Sequence, residues 1–198
     1  ALNRIARWNS TGCVDAGFNT GSGASVGVLA ITLQSDGKAL IGGGFTSVSN
    51  TGRNRIARLN GDGSVDLSFD PGSGANADVL AIGLPGDGRI LIGGWFSSVD
   101  GVAKNRFARL NLDGTLDAGF GPGSIDLSVN AIAFLGGERV LIGGAFTQVD
   151  GITRQGIARL MAGESNSQLP VITQQPSNTS VLAGADVFLS VNATANPP

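Results

Sequence analysis

The apolar residues of the chain form short runs of strand length that are separated by glycine-rich turns. Residues 79–84 and 89–96 are two such runs, and Asp87 and Gly88 lie between them. An Asp-Gly pair between two β-rich runs is the strongest short-range signal for a β-hairpin. The apolar positions nowhere follow the 3.6-residue period of an amphipathic helix. The pattern therefore predicts an all-β fold made of hairpins.

A second hairpin follows along the chain. Residues 55–60 have the composition of a strand, residues 61–64 that of a turn, and residues 65–69 that of a short returning strand. Strands of about five or six residues are typical of β proteins. Two hairpins, and thus four antiparallel strands, are therefore expected within about 51 residues, which is the composition of a propeller blade.

The same pattern recurs along the chain. The motif Asn-Arg-Ile-Ala-Arg, in identical or slightly changed form, opens each of three blade-like units and the start of a fourth. These units are residues 3–53, 54–104, 105–154 and 155–163. A repeat of this length is the sequence signature of stacked supersecondary units. We therefore expect a β-propeller or a propeller segment over residues 1–163.

A pair of glycines recurs in the second strand of every unit. Because glycine weakens a strand, a repeated pair indicates close approach of a neighbouring backbone or of an aromatic ring. Phe45, Phe96 and Phe146 follow the pairs at a fixed distance and are the candidate rings. Cradling of a ligand is the alternative, but three identical copies favour packing. The structural glycines are Gly42, Gly43, Gly93, Gly94, Gly143 and Gly144.

The charge and the residue composition of the chain argue against several classes of function. The net charge is −2 and no Lys/Arg cluster occurs, which argues against a nucleic-acid or anionic-membrane surface. The apolar runs are too short to span a bilayer. The chain has no histidine and one cysteine, so zinc chemistry is not expected. Cys13 stands where later units have Ser64 and Thr115, which indicates a tolerated small residue and not a nucleophile.

Three segments of the second unit carry a resemblance to a known family. Residues 59–69, 79–82 and 87–96 follow one another in a pattern that resembles the delta-60 repeats of bacterial surface and secreted proteins. The resemblance covers about residues 3–163 and departs from the pattern at Thr11 and at 136–138. It implies a propeller-like β fold in long extracellular multidomain chains, and it supplies no catalytic residues.

The repeat ends after Gly163. Residues 164–170 have the composition of a polar linker. Residues 171–198 resemble the first strands of a bacterial immunoglobulin-like domain, a β-sandwich of which only a part is present. Val187, Leu189 and Val191 alternate as in a half-buried sandwich strand, and Val191 stands where such domains often have a cysteine. We expect the natural protein to be longer in both directions, or its edges to be completed by another chain.

The turn of the second hairpin contains a candidate calcium site. Oxygen-bearing side chains alternate around a glycine there, as at the front of a calcium loop. No closing glutamate follows, and Asp-Gly in a plain hairpin turn explains the same residues without a metal. The candidate ligands are Asn60, Asp62, Asp66, Asn111, Asp113 and Asp117. No other cofactor is predicted.

One arginine recurs in every unit at the end of the shared motif. The series is Arg7, Arg58, Arg109 and Arg159. An aspartate follows the first three members eight residues later. The arginines could form a ring for an anionic ligand, because a guanidinium pairs with carboxylates in a fixed fork. The preferred interpretation is a structural arginine–aspartate ladder that binds each unit to itself or to its neighbour.

These observations favour a non-catalytic, extracellular structural or adhesive scaffold of a bacterial surface or secreted protein. Its expected partners are proteins or carbohydrates at a cell surface. The alternative is a carbohydrate-binding or carbohydrate-cleaving propeller whose active residues lie outside this segment. A homo-polymer or filament is a further hypothesis, because the strands expected at 5–9 and 157–160 are near-copies that compete for the same sheet edge.

Overall fold

The computed structural model describes residues 4–135, 139–161, 171–174 and 192–194. The chain divides into two compact units, residues 1–163 and 164–198. All regular structure in the described residues is β-strand, so the predicted all-β class is confirmed. The described residues contain no helix long and apolar enough to cross a membrane.

The first set of strands pairs in a simple antiparallel order. The strands are β1 (Val28–Leu33), β2 (Ala39–Gly43), β3 (Ser47–Val48), β4 (Thr51–Gly52) and β5 (Ile56–Leu59). The first sheet has the order β1-β2-β5, and β3 and β4 form a separate hairpin between β2 and β5.

The same arrangement is repeated twice. The second set of strands is β6 (Val79–Gly83), β7 (Ile90–Gly94), β8 (Ser98–Val99), β9 (Val102–Ala103) and β10 (Phe107–Leu110). The third set is β11 (Val129–Phe134), β12 (Arg139–Gly144), β13 (Gln148–Val149), β14 (Ile152–Thr153) and β15 (Ile157–Met161). The second sheet is β6-β7-β10 and the third is β11-β12-β15.

The four-stranded blade that the sequence predicts is not confirmed. Leu59 and Val65 form a single bridge where a fourth strand was expected, and Leu110 and Leu116 do the same in the next unit. The strand pairing ends at Val65 because the chain turns immediately afterwards. In this turn the Phe69 backbone N–H donates to the Asp66 carbonyl oxygen. The first and second sheets therefore each have three strands and one bridged segment at the edge, and the third sheet has three described strands.

The small hairpins β3–β4, β8–β9 and β13–β14 were not predicted from the sequence. Their loops have two residues, both at positive φ; in the second hairpin these are Asp100 (φ 47) and Gly101 (φ 74). Two successive positive φ values are what a tight hairpin turn of this kind requires, and Asp-Gly is a preferred pair there. Asp150 and Gly151 repeat the same turn.

The core lies between consecutive sheets. Ile41, Ile92 and Ile142 are all fully buried, as expected for equivalent positions of a repeat. One buried cluster joins Leu40 and Ile56 of the first sheet to Val79 and its neighbours in the second. Each sheet therefore packs its face on the next one along the chain.

The second compact unit contains two short antiparallel strands, β16 (Val171–Gln174) and β17 (Asn192–Thr194). Residues 164–170 and 175–191, on which the linker and most of the immunoglobulin-like prediction rest, lie outside the described residues. The immunoglobulin-like domain therefore stays a prediction.

Candidate functional site

Arg58 and Asp66 form an ion pair in which both side chains are buried. Arg58 is 5% exposed, and its Nε donates to Asp66 Oδ2 at 2.8 Å. Its guanidinium carbon lies 5.0 Å from the centre of the Phe69 ring. Its Nη1 also donates to the Leu112 carbonyl oxygen at 2.6 Å, in the turn that follows the second sheet. One arginine thus closes its own unit and binds the next.

The first unit repeats this arrangement. Arg7 Nε donates to Asp15 Oδ2 at 2.8 Å, and Arg7 Nη1 donates to the Gly61 carbonyl oxygen at 2.5 Å. The guanidinium of Arg7 lies 5.0 Å from the Phe18 ring centre. The Arg7 side chain is 43% exposed, in contrast to that of Arg58. The contact between units is therefore present with and without burial of the arginine.

The third unit has the same ion pair. Arg109 Nε donates to Asp117 Oδ2 at 2.9 Å, and its guanidinium lies 3.9 Å from the centre of the Phe120 ring. Arg159, the fourth member of the series, is exposed. Arg7, Arg58 and Arg109 thus each pair with a carboxylate of the protein.

The carboxylate of Asp66 is held in its ionised form. Its burial on its own raises the pKa, but hydrogen bonds from Lys38, Ser68 and Arg58 outweigh burial and lower the pKa well below its usual value. The Lys38 Nζ lies 2.8 Å from Asp66 Oδ2. Such a carboxylate is a permanent anion near neutral pH, and it is unsuited to general acid or base catalysis.

The candidate calcium ligands do not converge on a common point. Asp62 Oδ1 accepts hydrogen bonds from the backbone N–H of Ser64 at 2.9 Å and from its hydroxyl at 2.7 Å. Asn60 Nδ2 donates to the same hydroxyl at 3.0 Å. Asp66 faces Arg58 instead. Within the described part of the chain, no group of three or more carboxylates or thiols is placed to hold a metal ion.

The next unit shows the same turn geometry. Asp113 Oδ1 accepts hydrogen bonds from the Thr115 backbone N–H at 3.0 Å and from the Thr115 hydroxyl at 2.7 Å. Asn111 Nδ2 donates to that hydroxyl at 2.9 Å, and Asp117 pairs with Arg109. The six candidate residues therefore form two turns and two ion pairs.

We expect calcium removal to leave the stability of the protein unchanged. A ligand that binds only the folded state raises the melting temperature, and its removal lowers it. The measurement is a melting curve with added calcium and with excess EGTA. A chelator-dependent fall in melting temperature would show that the Asp62 and Asp113 turns bind calcium.

The glycine pairs accommodate the neighbouring sheet and the edge strand. A Cβ atom on Gly42 would lie 2.7 Å from Val79 Cγ1, and one on Gly93 would lie 2.7 Å from Val129 Cγ1. Both valines belong to the following sheet. The predicted close approach is thus present, but the proposed aromatic rings were wrong: the atoms nearest to these positions do not belong to Phe45 or to Phe96.

The second glycine of each pair meets backbone. A Cβ atom on Gly94 would overlap the Asp78 carbonyl oxygen, and one on Gly144 would overlap the Ser128 carbonyl oxygen. Gly43 stands in the same relation to Gly27. These oxygens precede the first strand of the same sheet, where the ladder carries a register shift. The second glycines therefore permit the irregular start of each sheet.

Sequence reasoning missed a loop-stabilising position that recurs in every unit. Asp126 Oδ1 accepts hydrogen bonds from the backbone N–H groups of Thr147 at 2.9 Å and Gln148 at 3.0 Å. Asn76 makes the same two contacts through its side-chain oxygen in the preceding unit. The signal was available, because Ser25, Asn76 and Asp126 are short polar residues at one repeat position.

We expect the Asp126 contact to make the protein more stable above pH 4 than below it. The hydroxyl of Thr147 and the backbone N–H groups lower the pKa of Asp126 from 3.8 to about 2. A lowered folded-state pKa contributes stability that is complete above 3.8 and is lost as the pH falls towards 2.

The neighbouring unit supplies the matched variants for this prediction. Asp126→Asn places the residue of Asn76 at this position, so it should fold and should show a weaker loss of stability between pH 4 and pH 2. Asn76→Asp should show a stronger loss. The measurement is urea unfolding at several pH values. Equal pH dependence in all three proteins would refute the assignment.

One surface cavity lies at the tips of the first and second hairpins. It has a volume of about 290 Å³, and Gln34, Asp36, Leu84, Arg89 and Leu112 contribute to its lining. A shallower cavity of about 440 Å³ lies beside Arg58 and Asp113. The first of these combines an apolar wall with a carboxylate and a guanidinium, which suits a small polar ligand.

One protein family matches the chain. The domain of unknown function (DUF5122) beta-propeller is similar to residues 34–69, 86–120 and 139–163. No curated protein and no solved structure matches the chain.

Proposed function

The chain is a protein of β-propeller repeats, and from this premise we propose that it serves as a non-catalytic, extracellular scaffold. In this proposal it is a structural or adhesive part of a bacterial surface or secreted protein. The observation that carries the proposal is the use of the arginine–aspartate pairs. Arg58 donates to Asp66 of its own unit and to a backbone carbonyl of the next unit, and Arg7 does the same through Asp15 and Gly61.

A scaffold of this kind extends by repeating one contact. Each contact between units joins a buried or half-buried side chain to a backbone carbonyl of the following unit, which resists displacement better than a flexible linker does. We further propose that each unit completes a four-stranded blade, in which the bridged segments at Val65 and Leu116 are the fourth strands. Residues 171–198 are proposed to begin an immunoglobulin-like spacer domain, with β16 and β17 among its strands.

The location is tested on intact cells of the source organism. Mild protease treatment of the cell surface should release peptides of this chain before any cytoplasmic marker appears. Release only after lysis would contradict an extracellular role.

Deletion of the gene tests the scaffold role. Cells that lack the gene should lose surface attachment or envelope integrity. An unchanged envelope together with lost turnover of a polysaccharide would favour an enzyme.

The second candidate function is carbohydrate binding, and the cavity at the hairpin tips favours it. Asp36 and Arg89 line this cavity together with Leu84 and Leu112. A carboxylate, a guanidinium and an apolar wall are groups that can hold sugar hydroxyls and a sugar ring face. A glycan array with the 198-residue chain tests this function, with Asp36→Ala and Arg89→Ala as variants. Binding that both variants abolish would support it.

A further inference from the structure

Residues 5–8 form a strand-like segment with one unpaired edge. They repeat the motif of β5 and β10. On one side the Asp15 backbone N–H donates to the Arg7 carbonyl at 2.8 Å, and Trp8 forms a bridge with Val14. In β5 and β10 the opposite edge pairs with β2 and β7. No strand in the described residues pairs with that edge of residues 5–8, and an unpaired edge is a template for another chain.

Trp8 in this segment is much more exposed than the equivalent residues of β5 and β10. Trp8 is 65% exposed, whereas Leu59 and Leu110, at the equivalent positions of β5 and β10, are fully buried. Ala6 is likewise exposed, whereas Ala57 is fully buried. Ala57 and Leu59 lie in one cluster with Ile41 of the adjacent strand and with Ile5, so the adjacent strand and the preceding unit together cover these side chains.

An apolar row on β1 is exposed as well. Leu29, Ile31 and Leu33 are 53%, 56% and 72% exposed. The equivalent of Ile31 in the second sheet is Ile82, which is buried and packs in a cluster with Ala30 of the first sheet. In every described pair of sheets, this apolar row therefore packs on small residues of the preceding sheet.

The matching small residues of the third sheet are exposed among the described residues. Ala131 and Ala133 of β11 are exposed. A Cβ atom on Gly143 would lie 3.7 Å from its nearest neighbour, Ala131 of the same sheet, whereas Gly42 and Gly93 are in contact with valines of the following sheet. The space above Gly143 is the place that a valine equivalent to Val79 fills elsewhere.

The strand β15 occupies the edge of β12, but no sheet among the described residues follows to cover its apolar side chains. Ile157 of β15 is 61% exposed, whereas the equivalent Ile56 is fully buried and Ile5 is 7% exposed. Met161, at the end of β15, is 66% exposed. In residues 5–8, by contrast, Ile5 is buried and Arg7 is paired with Asp15.

We propose that the chain associates head to tail with a second copy of itself. The row Leu29, Ile31 and Leu33 of one copy packs on β11 and β12 of the other, and Val28 fills the space above Gly143. Residues 5–8 of the first copy then pair with β12 of the second in place of β15. The contact repeats the one between the described sheets, and it holds whether or not the protein is a scaffold.

The register of β15 gives the register of the exchanged strand. Gly143 lies opposite Ile157, and Val140 lies opposite Leu160. Residues 5 and 8 take the places of 157 and 160, so Trp8 comes to lie opposite Val140 in the second copy. A tryptophan that is 65% exposed in one copy becomes buried in the complex.

The first test uses Trp8 as a reporter. Trp95→Ala leaves Trp8 as the only tryptophan, and Ala145 stands at the equivalent position of the next unit, so this variant should fold. Increasing protein concentration should shift the Trp8 emission to shorter wavelength as sedimentation velocity shows larger species. A single-copy mass with unchanged emission at every concentration would overturn the proposal.

The second test distinguishes a head-to-tail contact from a symmetric one. Ile31→Lys disables only the β1 face, and Gly143→Val disables only the β11–β12 face. Each variant alone should be a monomer with the circular dichroism spectrum of the parent protein. A 1:1 mixture retains one intact face of each kind, so it should form a two-copy complex that does not grow. Absence of that complex, with a parent protein that does associate, would overturn the head-to-tail contact.

Discussion

Arg58→Ala is expected to destabilise the protein by at most about 3–5 kcal/mol, the cost of breaking a buried ion pair, because Lys38 still offsets part of the Asp66 charge. Asp66 is 5% exposed and would lose the guanidinium that lies 2.8 Å away. The Leu112 carbonyl in the next unit would lose its donor as well. The free energy of unfolding, measured in urea by circular dichroism, tests this prediction.

Arg7→Ala is the matched control for Arg58→Ala. It removes the same ion pair, the same aromatic contact and the same hydrogen bond to the next unit, but the Arg7 side chain is 43% exposed. A pair in contact with solvent contributes about 0–1 kcal/mol. Equal losses in the two variants would show that the contact between units, and not burial, determines the cost. A normally stable Arg58→Ala protein that loses an anionic ligand would refute the structural role.

Gly93→Val is expected to destabilise the protein by about 1–3 kcal/mol through overpacking. The first added atom would lie 2.7 Å from Val129 Cγ1, so the second and third sheets must separate. The control is Gly143→Val, since a Cβ atom there has ordinary contacts at 3.7 Å and 3.8 Å. The melting temperature should fall for Gly93→Val and stay near that of the parent for Gly143→Val in dilute solution. Equal melting temperatures for the parent and Gly93→Val would show that the glycine is not a packing position.

The repeat and its hairpins could be predicted from the sequence because both depend on residues close together in the chain. The Asp87-Gly88 turn and the recurring glycine pair are local signals, and the arginine–aspartate pair spans only eight residues. Burial of Ile41 and its equivalents followed from periodicity alone. These features need no knowledge of where the next sheet lies.

The contacts between sheets could not be predicted in the same way. The sequence predicted that another group lies close to Gly42 and Gly93, and phenylalanine rings were the expected groups. The atoms that lie close to these glycines belong instead to Val79 and Val129. Which side chain fills a gap depends on the angle and offset between two sheets, and a repeat motif does not contain these. The length of the fourth strand was also overestimated in the prediction. Only one residue pair, Leu59 and Val65, continues the ladder there.

The backbone conformation at Arg55 and Arg106 explains why the fourth copy of the motif has a glycine at the equivalent position. Both residues have positive φ, at 67° and 68°, a conformation that is unusual for a side chain larger than asparagine. The fourth copy of the motif has Gly156 at this position, with φ 74. An exchange between arginine and glycine at one repeat position therefore indicates a left-handed backbone there.

The hydrogen bonds from Arg7 to Gly61 and from Arg58 to Leu112 have a consequence for the evolution of the gene. The first two units each supply a forward donor, and the second and third units each supply an acceptor turn, so duplication of a whole unit keeps such bonds matched. Loss of part of a unit would separate an arginine from its acceptor and leave a buried charge behind. Arrays of this type are therefore expected to change length in steps of one repeat, and deletions of other sizes should be selected against.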